Sequence, residues 1–165
     1  MKHAIATTIA LITAATATAC GGSADFAGEY TISLTNGDNG CQFDDWVEGE
    51  TSSNIPLTIT QSDDALTAEI EGVAAVLLGL FLGTTTFTGE ADGDRAELIL
   101  LGERAFSEGN CSYTFNGVVD LELDGDFISG ELRYEAATND NPDCAALSGC
   151  ASRQSFNGNR PPSAE

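Results

Sequence analysis

Residues 111–136, CSYTFNGVVDLELDGDFISGELRYEA, alternate between apolar and polar side chains with a period of two. Tyr113, Phe115, Gly117, Val119, Leu121 and Leu123 share one face, followed by Ile128, Gly130, Leu132, Tyr134 and Ala136. Successive side chains of a strand point to opposite faces, so this pattern suits a half-buried β-hairpin and not a helix. The alternation recurs in FAGEYTISLT (Phe26, Gly28, Tyr30, Ile32, Leu34), IPLTITQ (Ile55, Leu57, Ile59) and ALTAEIE (Leu66, Ala68, Ile70). It continues in TTTFTGEA (Phe87, Gly89, Ala91) and RAELILL (Ala96, Leu98, Leu100), with ASRQSFN as a weaker last strand. The expected fold is all-β: an antiparallel up-and-down meander of about eight strands, closed into a barrel because closure removes exposed edges.

Three short turns punctuate the pattern. Asp124-Gly125 and Asp92-Gly93 are two-residue hairpin signals, with Gly accepting the positive φ of a type I′ turn. Loops of those residues pair Leu121 with Ile128, Val119 with Gly130, Gly117 with Leu132 and Phe115 with Tyr134. They also pair Gly89 with Ala96, Phe87 with Leu98 and, outside, Glu90 with Arg95. Ser62-Asp63-Asp64 closes a third hairpin. If the strands alternate up and down, these turns share one end. The long connections at 36–54, 72–83, 102–110 and 137–150 share the other.

The N-terminus has a different composition. Lys2 and His3 precede the uncharged AIATTIALITAATATA, and the acidic residues begin only after Cys20. That apolar run is shorter than the roughly 20 predominantly apolar residues of a membrane span. It fits a secretory signal peptide ending in small residues. ATAC, Ala17 to Cys20, resembles the bacterial lipobox, with Ala17 where the family usually has Leu. The resemblance implies cleavage before Cys20 and lipid on its thiol and amine, and Gly21 implies the outer membrane of a Gram-negative cell. The expected organisation is therefore signal peptide 1–19, lipidated tether 20–25, barrel 26–158 and C-terminal tail 159–165.

Cleavage would remove the only His, Lys and Met of the chain (His3, Lys2, Met1). Without imidazole or amine side chains, Ser-His-Asp catalysis, lysine Schiff bases and His-ligated zinc are excluded. Arg95, Arg104, Arg133, Arg153 and Arg160 would face 26 acidic residues, five minus 26, a formal charge of −21. Such a surface repels nucleic acid. No enzyme activity, metal or cofactor is expected. TNGDNGCQFDDW and TNDNPDC are rich in oxygen ligands but lack the EF-hand spacing, and their Asn-Gly and Asn-Pro steps are ordinary turn residues.

Cys41, Cys111, Cys144 and Cys150 all fall at the long-loop end. An even number of cysteines in an exported chain reads as two disulfides. The favoured pairing is the local Cys144–Cys150 bridge with Cys41–Cys111. The competing one is Cys41–Cys144 with Cys111–Cys150. GVAAVLLGLFLG, Gly72 to Gly83, has neither alternation nor charge. It is read as a helix plugging the barrel mouth, as a lid, or as an exposed patch for a partner. Val76, Leu77, Leu78, Leu80 and Phe81, with Trp46, the only Trp, mark the candidate ligand or partner region. The GEY first strand, LTITQSDDALTAEI and the repeated GD turns resemble lipocalin-like and avidin-like barrels, and the chain also resembles uncharacterised bacterial lipoproteins with a Cys-bearing C-terminal SFNG segment. That resemblance implies a fold and no active-site residues. The functional expectation is a lipid-anchored barrel binding a small apolar ligand or a partner at its loop end. The alternative is an acidic inhibitor or surface protein docking a basic enzyme such as a lysozyme, with the membrane reached only through Cys20.

Overall fold

The structure, a computed structural model, describes residues 22–161; Cys20 and the expected signal peptide lie outside them. The strands are β1 (Gly28–Asn39), β2 (Thr51–Ser62), β3 (Ala65–Ile70), β4 (Thr86–Asp92), β5 (Arg95–Leu100), β6 (Phe106–Glu108), β7 (Cys111–Asp124), β8 (Phe127–Thr138) and β9 (Ala151–Asn159). Among the described residues a single α-helix, α1 (Gly72–Leu82), lies between β3 and β4. Every pairing is antiparallel; chain neighbours pair except β5 with β6, β5 pairs instead with β7, and β1 pairs with β9. The result is a closed eight-strand barrel, with β6 extending only the upper part of β7.

The interior is the inward face expected from the alternation. Tyr30, Ile32, Ile55, Leu57, Ile59, Leu66, Ala68, Phe87, Leu98, Phe115, Leu121, Ile128, Leu132 and Phe156 are all buried. The inward position 130 requires glycine: a Cβ there would lie 2.0 Å from the Asp120 carbonyl oxygen and 2.7 Å from the Phe156 ring. Phe26, read as the start of the first strand, precedes it instead. It is fully buried at the short-turn end.

Two hairpin registers differ from expectation by two residues. Asp124 pairs with Phe127, Leu121 with Gly130, Val119 with Leu132 and Gly117 with Tyr134, so the loop is Gly125-Asp126. Likewise Asp92 pairs with Arg95, Glu90 with Glu97 and Gly89 with Leu98 around Gly93-Asp94. Gly125 (φ 63°) and Gly93 (φ 64°) occupy the first central position, and neither following Asp has positive φ. That is the type II′ pattern and not type I′. A two-residue shift keeps every side chain on its face, so the hydrophobic alternation does not distinguish the two registers. The third turn is Asp63-Asp64, with Leu57 opposite Ile70 and Ile59 opposite Ala68 as expected.

Both disulfide pairings read from the sequence are corrected: the bridges are Cys41–Cys150 and Cys111–Cys144. β1 runs on to Asn39 alongside β9, so Gly40 donates its N–H to the Ala151 carbonyl (3.1 Å) and Cys41 donates to Ser152 Oγ (3.1 Å). This sets Cys41 beside the residue that precedes β9, with 4.9 Å between the Cα atoms. A 3₁₀ turn at Pro142–Cys144 folds over the β6–β7 turn, where Asp143 Oδ2 accepts from the Asn110 backbone (3.1 Å) and amide (3.0 Å). Cys144 is thereby held at Cys111 and away from Cys150.

The barrel wall is uneven. β1, β2, β7 and β8 are 12 to 14 residues long, while β3, β4 and β5 have six or seven. α1 sits above the low side. At the other end residues 23–27 fold under the turns. Ala24 donates to the Gly93 carbonyl (2.7 Å), Phe26 donates to Gln61 Oε1 (2.7 Å), and Arg160 donates to the carbonyls of Asp25 and Ala27. Among the described residues no helix is long and apolar enough to cross a membrane.

Candidate functional site at the loop end

The described chain begins at the short-turn end, where Ser23 bonds Asp64 (2.6 Å), so the long loops lie opposite the end where it begins. There the 40–50 loop, α1 and the tops of β6, β7 and β8 bring together an aromatic cluster. The ring of Phe43 lies 5.2 Å from Phe81, 4.9 Å from Phe115 and 6.0 Å from Tyr134, all edge-on. Phe81 also stacks on Phe115 at 5.3 Å. Trp46 packs against Phe43 (5.7 Å) and Tyr134 (6.2 Å), and its indole N–H donates to the Gly37 carbonyl (2.8 Å). Trp46 is thus half-buried as a cover over the core. Burial pushes the Tyr134 phenol well above its ordinary pKa, and its OH donates to Gln154 Oε1 (3.0 Å).

α1 is apolar all round, and its two faces have different surroundings. Ala74, Leu78 and Phe81 pack on the core and Leu82 is buried. Val73, Val76, Leu77 and Leu80 face out, 60–78% exposed. Their spacing, i, i+3, i+4, i+7, is one stripe of a 3.6-residue helix. The candidate residues therefore divide: Val76, Leu77 and Leu80 form an outer ridge, while Leu78, Phe81 and Trp46 join the aromatic floor. Val73 is the most exposed of the ridge. It was not marked in the sequence because a segment apolar on every side hides its own periodicity. Leu101 (69% exposed) lies just past β5, two residues before Glu103, which donates its N–H to the Leu82 carbonyl (2.7 Å).

The helix is seated firmly. The Gly83 N–H caps it through the Gly79 carbonyl (2.9 Å) with Gly83 left-handed at φ 89°, the Glu71 N–H reaches the Pro56 carbonyl (3.0 Å), and Arg104 donates to the Leu80 carbonyl. Four of the five arginines are engaged in bonds of this kind or in ion pairs. Arg104 also lies over the Phe106 ring (5.6 Å), Arg133 bonds Asp120 and Glu135, Arg153 bonds Glu131, and Arg160 bonds Asp126 (2.9 Å). The exposed carboxylates that remain set a negative field.

The barrel interior holds a cavity of about 50 Å³ lined only by apolar side chains, among them Ile32, Leu57, Ile59, Phe87, Leu98 and Phe156. Pockets for drug-sized molecules run from about 300 Å³ upward. A broad, shallow cleft bordered by Ser23, Asp25, Gln61, Asp63 and Asp64 lies at the opposite end, where the chain emerges. No His, Cys, Asp or Glu cluster fit to hold a metal ion occurs among the described residues. No family model, no curated protein and no solved structure matches this chain.

Proposed function

We propose that this protein is an exported lipoprotein whose barrel is a rigid stand, anchored through Cys20 at its short-turn end and presenting α1 to a partner at the other. The observation that carries the reading is the placement of four outward apolar side chains, Val73, Val76, Leu77 and Leu80, opposite the end where residue 22 enters. Keeping such a ridge in water costs about 1.5–3 kcal/mol per side chain relative to burial, so its exposure on a helix whose other face is packed on the core favours a binding role over a packing one. The small apolar cavity favours recognition on the surface over carriage of a ligand inside. Two disulfides suit an oxidising compartment, the lipobox-like ATAC supports a lipid anchor, and Gly21 after it supports an outer-membrane address.

The test uses full-length protein in its own host. Extracted from membranes in mild detergent, the wild type should migrate as a complex larger than the chain alone. Leu77→Asp should migrate alone with an unchanged circular dichroism spectrum, and Cys20→Ala should move to the soluble fraction. A wild type that migrates alone contradicts the partner reading. A Cys20→Ala variant that stays in membranes after a high-salt wash contradicts the anchor.

A further inference from the structure

We propose that α1 is the inserting element of a helix-in-groove contact, and that its partner is a protein with an apolar groove rimmed by lysine or arginine. This rests on the reading that the loop end is the binding end. Grooves of that kind are filled by anchors at i, i+3, i+4 and i+7, the spacing of Val73, Val76, Leu77 and Leu80, all exposed on one face. The opposite face is committed to the core through Leu82 and through Phe81, which sits on Phe43 and Phe115. The ridge is therefore presented without prior rearrangement, which spares the ordering cost of association.

Charge selects the partner. No ionisable residue occurs between Gly72 and Gly83, and those bordering the segment are acidic. Glu71 precedes the helix, Glu103 adjoins its C-terminal cap, and Asp44 and Asp45 follow Phe43, whose ring touches Phe81. Among the described residues the one cation there, Arg104, is held on the Leu80 carbonyl and the Phe106 ring. An apolar ridge with an acidic surround complements an apolar groove with a basic rim. A second copy of this chain brings the same acidic surround and is repelled. An anionic lipid surface is repelled likewise, and a barrel tethered at Cys20 points α1 away from its own membrane.

Photo-crosslinking from α1 tests the inference. A benzophenone amino acid at position 76 of the full chain, irradiated in the host envelope, should join one protein, at a site that mass spectrometry maps to an apolar groove flanked by Lys or Arg. Adduct yield should fall on the order of tenfold with Leu80→Asp, as for loss of an interfacial anchor, and should fall again as salt is raised. An adduct with a second copy, with phospholipid, or with an acidic or uncharged site overturns the proposal, as does a yield indifferent to salt. A parallel benzophenone at position 48, in the neighbouring loop, separates the two levels. Adducts from 48 and none from 76 overturn the groove contact and leave the loop end as the binding end; adducts from neither overturn both.

Discussion

Tyr134 shows how one residue ties the site to the barrel. It lies inward on β8, its ring closes the aromatic floor under α1, and its OH reaches Gln154, whose amide in turn donates to Asn36 Oδ1 (2.7 Å). Tyr134→Phe leaves the Gln154 oxygen without its donor and should cost about 1–2 kcal/mol in a urea titration near pH 7. The pH dependence has a definite sign. Burial holds the folded phenol above its unfolded value, so its contribution is complete below about pH 10 and declines as pH rises further, because only the unfolded chain then ionises. Tyr30 acts in the same direction: its burial outweighs the opposing attraction of Arg160. The wild type should therefore lose stability above about pH 10, and the gap between it and Tyr134→Phe should narrow there. A gap that widens would contradict the assigned burial.

At the scale of elements, the bridges hold the loop end together. Cys41–Cys150 spans 109 residues and Cys111–Cys144 spans 33. By loop-closure entropy they contribute roughly 5 and roughly 4 kcal/mol, so Cys41→Ser with Cys150→Ser should lower stability about 1 kcal/mol more than Cys111→Ser with Cys144→Ser. Equal losses, or the reverse order, would show that local packing dominates chain entropy. The inward faces of the strands, the three turns at one end and the long connections at the other were legible from alternation and turn residues alone. Sequence separation did not disclose which cysteines meet. Cys144 looked local to Cys150, but its neighbour Asp143 binds Asn110, a contact that depends on where the β6–β7 turn sits in space. The two shifted hairpins were hidden for a related reason: a two-residue slip preserves the very pattern used to read them. Strand β6 is three residues long and escaped detection within its loop. In the candidate site the apolar segment 72–83 was legible as unusual. Its division into an outer ridge and an inner floor required the helix to be placed on the barrel.

The whole molecule has a polarity. A closed meander puts both ends of the described chain at the short-turn side, where Arg160 bonds Asp126 and the carbonyls of Asp25 and Ala27, and leaves α1 and the disulfide-tied loops at the far side. In the proposed function the far side is the one that binds. Hydrogen–deuterium exchange on the full-length protein, purified and then returned to detergent-solubilised envelope from its host, tests it most directly. Amides of 40–50 and 72–83 should gain protection, while those around the turns at 63–64, 93–94 and 125–126 stay unchanged. Protection confined to the three turns, or none anywhere, would contradict it.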